Sequence, residues 1–360
     1  MASSLRAQAP AADELEVSVF GPGRGECIVV KPPGAPWVVV DSFVVGPPSS
    51  QVPVSVAYLR LLKCVDVFGF AITHWHDDHT RGAADVLKEF KDSLRYVGLP
   101  FAAGERELAS LLVDLLPDKG RFSLIKDLAD VVSTLKDSAF DHVQRLLLTA
   151  GVTLPSAGSS HLVALSPSFD DCRHQAATML TYLPNWEGDR PKHYDVNSGC
   201  AVLQLTCGQF SIVLYSDLDV GDSDKRGLRC VVKTYGSQLR ADIIKVGHHG
   251  SDTAYHPPAL NAGQAHLASG AITPFPARGG HLPRDKNVSA YKKALRTLHL
   301  TAKPGESLKR AGKVPLANTP FSGYTKAVAG HLDAVGQIRY RIRAGEPNPR
   351  VEMFGGASSP

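Results

Sequence analysis

Thr73-His74-Trp75-His76-Asp77-Asp78-His79 brings three imidazoles and two carboxylates into seven residues. His74 and His76 alternate, so an extended backbone aims both rings to one side. Asp78 and His79 are offset from them by a turn and can serve a neighbouring ion. Imidazole and carboxylate without thiolate form a donor set for Zn2+, Mn2+ or Fe2+. With 14 histidines in 360 residues, a His-x-His-x-Asp-His pattern arises by chance in roughly one in a thousand chains of this length. A solvated loop has little use for three imidazoles, whereas a metal does.

A second cluster, Lys245-Val246-Gly247-His248-His249-Gly250-Ser251, carries adjacent histidines. On an extended backbone the two rings project to opposite sides, so one is expected to ligate and the other to hydrogen-bond. Gly247 and Gly250 let backbone approach a substrate closely. Between the clusters, Ser216-Asp217 follows an apolar run. A carboxylate there can bridge two metals about 3.5–4 Å apart, one oxygen on each.

The elements that must position these residues are legible from periodicity. Leu15–Phe20, Cys27–Lys31, Trp37–Asp41 and Val67–Thr73 read as strands, with a Pro-Pro-Gly turn at 32–34. Val54–Lys63, Gly82–Phe90 and Glu105–Leu116 read as helices, and Leu94–Leu99 as a strand. Asp127–Leu135 and Phe140–Leu148 also show helical spacing, so residues 117–160 are expected to form a helical insertion. Strands resume at His161–Leu165, Ala201–Thr206, Phe210–Tyr215 and Ala241–Val246, followed by a helix at Val288–Thr297. Gly336–Arg343 (GQIRYRIR) alternates as a last edge strand. Both histidine clusters and Asp217 thus sit at the C-terminal ends of strands. Strands in both halves with helices between them predict an α/β four-layer αββα sandwich. A single domain over residues 14–345 is expected, with flexible tails at 1–13 and 346–360. The polar stretch at 186–196 reads as a loop over the site, and substrate choice is expected to lie there and in the 117–160 insertion.

Composition narrows the class. The chain is 43% hydrophobic, which suffices for a core. It has no run approaching about 18 apolar residues, so no membrane partner is expected. The first residues carry acids and no apolar core, so a cytoplasmic protein is expected. A net charge of +4 is too small to indicate duplex nucleic acid by itself. Six cysteines without a CxxC are expected to be reduced and mostly buried.

In this order the motifs resemble the metallo-β-lactamase superfamily. They come closest to its DNA-uptake branch, the hydrolase-like domain attached to competence channel proteins and its free-standing relatives. The resemblance runs from about Val17 to Arg343. It implies that His74, His76, Asp78 and His79 ligate metal and that Asp41, in VVVDSF, supports the histidine loop from behind. It implies that Asp217, in YSDLD, is the bridging ligand. Of the late pair, His249 is favoured over His248 because Gly-Ser follows it, similar to the His-x-Ser of related nucleases. Asn197-Ser198 resembles an Asn…Ser element of the branch, Ser251 belongs to the late histidine motif, and Gly280-His281-Leu282-Pro283 resembles a His-Pro element near the pocket. Three departures stand out. Ser216 replaces a glycine, Ser42-Phe43 replaces a small residue plus glycine, and no histidine aligns with the third ligand motif. His161, His174 and His193 lie in the right interval but lack its context, and the branch is similar in lacking this ligand.

The resemblance implies a hydrolase holding two divalent ions, Zn2+ or Mn2+, that activate a water. Asp78 and His281 are the expected catalytic residues, His281 as oxyanion stabiliser, and Arg284 is a candidate phosphate contact. A phosphodiester, as nucleic acid or a small molecule, is the expected substrate. Acyl hydrolysis of a lactone or thioester on the same metals, or a non-catalytic metal-stabilised partner protein, are the alternatives.

Overall fold

The computed structural model describes residues 5–21, 25–47, 50–64, 66–100, 123–182, 197–277, 280–305, 332–333 and 335–360. The expected helix Glu105–Leu116 and the loop 186–196 lie outside them. The strands β1 (Glu14–Gly21), β2 (Cys27–Lys31) and β3 (Trp37–Val40) form an antiparallel meander, with the Pro-Pro-Gly turn between β2 and β3. Two short strands, β4 (Val44–Val45) and β5 (Val52–Pro53), pair with each other. Helix α1 (Val54–Leu61) leads to β6 (Val67–Ala71), which lies parallel to β3. The single turn α2 (Asp77–Thr80) and helix α3 (Ala83–Glu89) precede β7 (Tyr96–Pro100). Helix α4 (Ser123–Leu135) precedes β8 (Gln144–Leu148), and β6, β7 and β8 are parallel, as helical crossovers require.

The second half repeats this plan. The strands β9 (Thr153–Leu154) and β10 (Ser160–Ala164) are followed by helix α5 (Phe169–Tyr182) and the hairpin β11 (Leu203–Cys207)–β12 (Phe210–Leu214). Then α6 (Gly227–Tyr235), β13 (Ile243–Lys245), α7 (Pro257–Ala262), β14 (Ser269–Ile272), α8 (Asp285–Ala294) and β15 (Thr297–Leu300) alternate. Strands β12 to β15 are parallel. Finally β16 (Gly336–Arg343) and β17 (Arg350–Phe354) return to the first sheet. Among the described residues, its order is β17-β16-β1-β2-β3-β6-β7-β8 and that of the second is β15-β14-β13-β12-β11-β10-β9.

Strand alternation sorts the core into three layers. Ile28, Val30, Val40, Leu203, Leu205, Ile212 and Leu214 pack between the two sheets. Their strand neighbours Val29, Val39 and Phe70 face outward under α1, α3 and α4. On the second sheet, Val202, Val213, Ile244 and Val246 face outward under α6, α7 and α8. Strands buried on both faces read as continuous apolar runs, and WVVV and FSIVL are of that kind. The fold is the expected αββα sandwich.

Three local expectations fail, each for a physical reason. Phe140–Leu148 is not a helix: a 3-10 turn at Ser138–Phe140 is followed by β8, which pairs from Tyr96↔Gln144 to Pro100↔Leu148. A short apolar run such as LLL fits either element, and sheet closure decides it. Likewise Val288–Thr297 divides, its helix ending at Ala294 and Thr297 opening β15. Gly336–Arg343 is not an edge, because β17 lies outside it, within residues expected as a tail. Two of its three arginines, Arg339 and Arg341, are buried, and Arg343 is exposed. Arg339 pairs with Glu352 at 2.7 Å and Arg341 with Glu16 at 2.8 Å. The N-terminal segment covers them, with Arg6 buried and donating to Gln337 at 2.7 Å. All six cysteines are free, four of them buried.

Candidate metal centre

Asp41 follows β3 in the left-handed region at φ 59° and turns its carboxylate under the histidine loop. It accepts from the Thr73 N–H and the Thr73 hydroxyl, both at 2.7 Å, and from His79 Nδ1–H at 2.8 Å. That last bond fixes the His79 tautomer and points Nε2 away from Asp41, as support of a ligating histidine requires. Ser42, in place of the expected small residue, joins the turn by donating its N–H to the His79 carbonyl at 2.8 Å. Ser216, in place of a glycine, donates its hydroxyl to Thr73 Oγ1 at 2.7 Å. Six non-glycine residues among those described have positive φ, and four of them, Asp41, Ser216, His248 and His249, belong to these loops. Such backbone costs of order 1–3 kcal/mol each and persists where surroundings enforce it.

The side chains so placed form two donor sets that share Asp217. Asp78, His79, Asp217 and His249 present ligand atoms within 4.8 Å of one another, as do His74, His76 and Asp217. His79 Nε2 is 3.6 Å from Asp217 Oδ1 and 3.7 Å from Asp78 Oδ2. His249 Nε2 is 3.5 Å from Asp217 Oδ2 and 3.1 Å from Asp78 Oδ2. His74 Nε2 and His76 Nδ1 are 3.3 Å apart. Donors around one tetrahedral ion with bonds of about 2.0–2.2 Å stand about 3.3–3.6 Å apart, so these spacings fit a cation. The buried polar atoms agree. His79 Nε2 and Asp217 Oδ1 face each other without a hydrogen-bond partner among the described residues, a cost that an ion between them removes. Asp217 turns Oδ1 to the early histidine, His79, and Oδ2 to the late one, His249, so both oxygens face the four-residue set.

Electrostatics prepares the donors. Burial, with the neighbouring histidines, holds His74 well below the usual imidazole range, and burial likewise lowers His76, so both stay neutral and able to ligate. Burial would also lower His79, but Asp41, Asp217 and Asp78 outweigh it and hold its pKa well above the ordinary value. Burial would raise Asp78 and Asp217, yet the facing histidines win and both lie below the carboxylate range.

The other expected residues fall at different depths. His248 Nδ1–H donates to Asp219 at 2.9 Å and the ring lies by Asn197 Nδ2 at 3.3 Å, so His248 forms the rim while its neighbour enters the donor set. Ser251 accepts from the Thr253 N–H at 3.3 Å and caps a 3-10 turn. His281 donates from Nδ1 to the Pro283 carbonyl at 3.0 Å, not toward the donor atoms. Its segment nonetheless borders the site, for Phe275 stacks on His249 at 4.8 Å and pairs with Leu282. Arg284 is exposed at the entry to α8. His161 is exposed on β10 and His174 lies on α5; neither enters a donor set, and His193 is outside the described residues. The His74–His76–Asp217 set therefore has three protein donors among the described residues. Sequence reading missed Glu26, Thr273 and Asp219. Only Asp219, two residues past Asp217 in YSDLD, carried a usable signal.

Residues 20–168 match the Metallo-beta-lactamase superfamily. The matched segment, less than half of the chain, includes Asp41 and the whole histidine loop. Among solved structures the chain is similar to CmlA beta-hydroxylase, at 18% identity and a TM-score of 0.35, covering 64% of this chain and 35% of that one. It is also similar to the metallo-beta-lactamase fold protein YhfI from Bacillus subtilis, at 15% identity and a TM-score of 0.42, over 82% of this chain and 98% of the other. A third is Igni18, a metallo hydrolase from the archaeon Ignicoccus hospitalis, at 12% identity and a TM-score of 0.40, over 81% and 97%. This chain thus spans about a third of the length of CmlA beta-hydroxylase. No curated protein matches the chain.

Proposed function

We propose that the protein is a metal-dependent phosphodiester hydrolase of the DNA-uptake branch of this superfamily, acting on a single strand or a small phosphodiester. The observation that carries the proposal is the sharing of Asp217 between the two donor sets, buried except at the half-buried His76. Two divalent cations, Zn2+ or Mn2+, when bound supply Lewis acidity and a water acidified toward neutral pH. His79, Asp78, Asp217 and His249 are the residues proposed to hold one, and His74, His76 and Asp217 the other.

The chain's own residues supply position and charge. Asp41 holds His79 in its ligating tautomer. The set with only three protein donors leaves room for substrate and water beside Asp217. His248, held by Asp219 at 2.9 Å, stands at the rim where a leaving group departs. His281 and Arg284, on the segment that borders His249, are the proposed contacts for a non-bridging phosphate oxygen. A site that concentrates cations suits a substrate that carries negative charge into its transition state. The chain's net charge of +4 suits a short or single-stranded substrate over wrapped duplex. Among the described residues no helix is long and apolar enough to cross a membrane.

The test is cleavage of bis-p-nitrophenyl phosphate and of a single-stranded DNA with Mn2+ or Zn2+, beside a lactone and a thioester. Wild type is expected to cleave the phosphodiesters, and His76→Ala to lose at least about a hundredfold. Turnover of the lactone or thioester alone moves the protein to acyl hydrolysis. No turnover of any of them with either metal overturns the catalytic reading.

A further inference from the structure

An acidic and a basic side chain without exposed surface form an ion pair in the inter-sheet core beneath the donor set. Lys245 Nζ is 2.6 Å from Glu26 Oε2, and both side chains are 0% exposed. Burying such a pair costs desolvation that an apolar pair of the same volume would avoid, so its presence calls for a role other than adhesion. Glu26 precedes β2 in the first sheet and Lys245 ends β13 in the second, so the pair ties the two sheets together.

The pair lies between the two halves of the set. The Glu26 backbone N–H donates to the Asp78 carbonyl at 2.8 Å, which seats residue 26 beside the early loop independently of its side chain. The Thr273 hydroxyl donates to Glu26 Oε2. On the late side, His249 Nδ1–H donates to the Thr273 carbonyl at 2.8 Å and lies 3.1 Å from the Thr273 hydroxyl. These contacts turn His249 Nε2 toward Asp78 and Asp217.

We propose that Glu26 and Lys245 are positioning residues, which act through Thr273 to set the orientation of His249 and its distance from Asp78. They thereby govern occupancy of the Asp78–His79–Asp217–His249 set. The proposal rests on the metal-centre reading above. It names the residues that join the two halves of that centre, one half from each sheet.

The test is titration of the metal-free full chain with Co2+, following stoichiometry, affinity and the visible absorption of the bound ion. Wild type is expected to take two ions per chain. Glu26→Gln with Lys245→Met removes both charges together, and circular dichroism checks its fold. That variant is expected to bind one of the two ions about ten- to a hundredfold more weakly, with an altered spectrum. Thr273→Val keeps the ion pair and removes only the hydroxyl, and is expected to weaken the same ion severalfold. Wild-type affinities and spectrum for both ions in either variant would reduce the pair to a fold tie and overturn the proposal. If the double variant does not fold, Thr273→Val decides alone. A wild type that takes up no Co2+ overturns the metal-centre reading itself, which is a different result from variants that match a loaded wild type.

Discussion

Asp217 and His79 show how single side chains here are arranged for an ion. Each keeps a buried polar atom that no described neighbour satisfies, and each is turned to face the other. Asp41 makes that possible by taking His79 Nδ1–H. Asp41→Asn keeps the volume and removes the negative acceptor. We expect it to fold normally and to lose about ten- to a hundredfold in metal affinity, measured by competition with a chelator. The raised pKa of His79 gives a second expectation. In the metal-free protein its proton stabilises the fold below about pH 6.5, and that contribution is lost as pH rises through the raised value. A cation must displace this proton. Metal uptake near neutral pH is therefore expected to release protons, detectable by calorimetry in buffers of different ionisation enthalpy, and to tighten as pH rises. Uptake without proton release at pH 7 would contradict a protonated His79 in the metal-free protein.

Most elements that carry the site were legible in the sequence because they are strands buried on both faces, whose apolar runs are hard to mistake. Val67–Ala71 and Phe210–Leu214 lead straight to the histidine loop and to Asp217. The donors themselves were legible because motif spacing survives without knowledge of the fold. What stayed hidden was long-range. Glu26 and Thr273 are 247 positions apart, and no local pattern announces their contact. The place of β16 inside the sheet was hidden for the same reason, since nothing in an alternating run announces that β17 lies outside it. Here Phe354 of β17 lies under the Arg339 and Arg6 guanidinium groups, at 4.7 and 5.7 Å from its ring centroid. Phe354→Ala is expected to destabilise the protein by about 3 kcal/mol, read from urea unfolding. A change under about 0.5 kcal/mol would mean that β17 adds little to the first sheet.

Across the described residues, the two halves use one plan: each sheet ends in a parallel run, and the loops after β3, β6, β12 and β13 converge on one place. Loops at the carboxyl ends of parallel strands are where α/β sheets build their sites. Neither half holds a complete centre. The early half brings His74, His76, Asp78 and His79, the late half Asp217 and His249, so the centre exists only when the sheets are packed. The central claim is that two cations share Asp217. The most direct measurement is electron paramagnetic resonance of the Mn2+-loaded protein together with metal content per chain. Wild type is expected to hold two Mn2+ per chain with an exchange-coupled spectrum, and Asp217→Ala to lose that coupling. One Mn2+ per chain, or two that remain uncoupled in wild type, would contradict that claim.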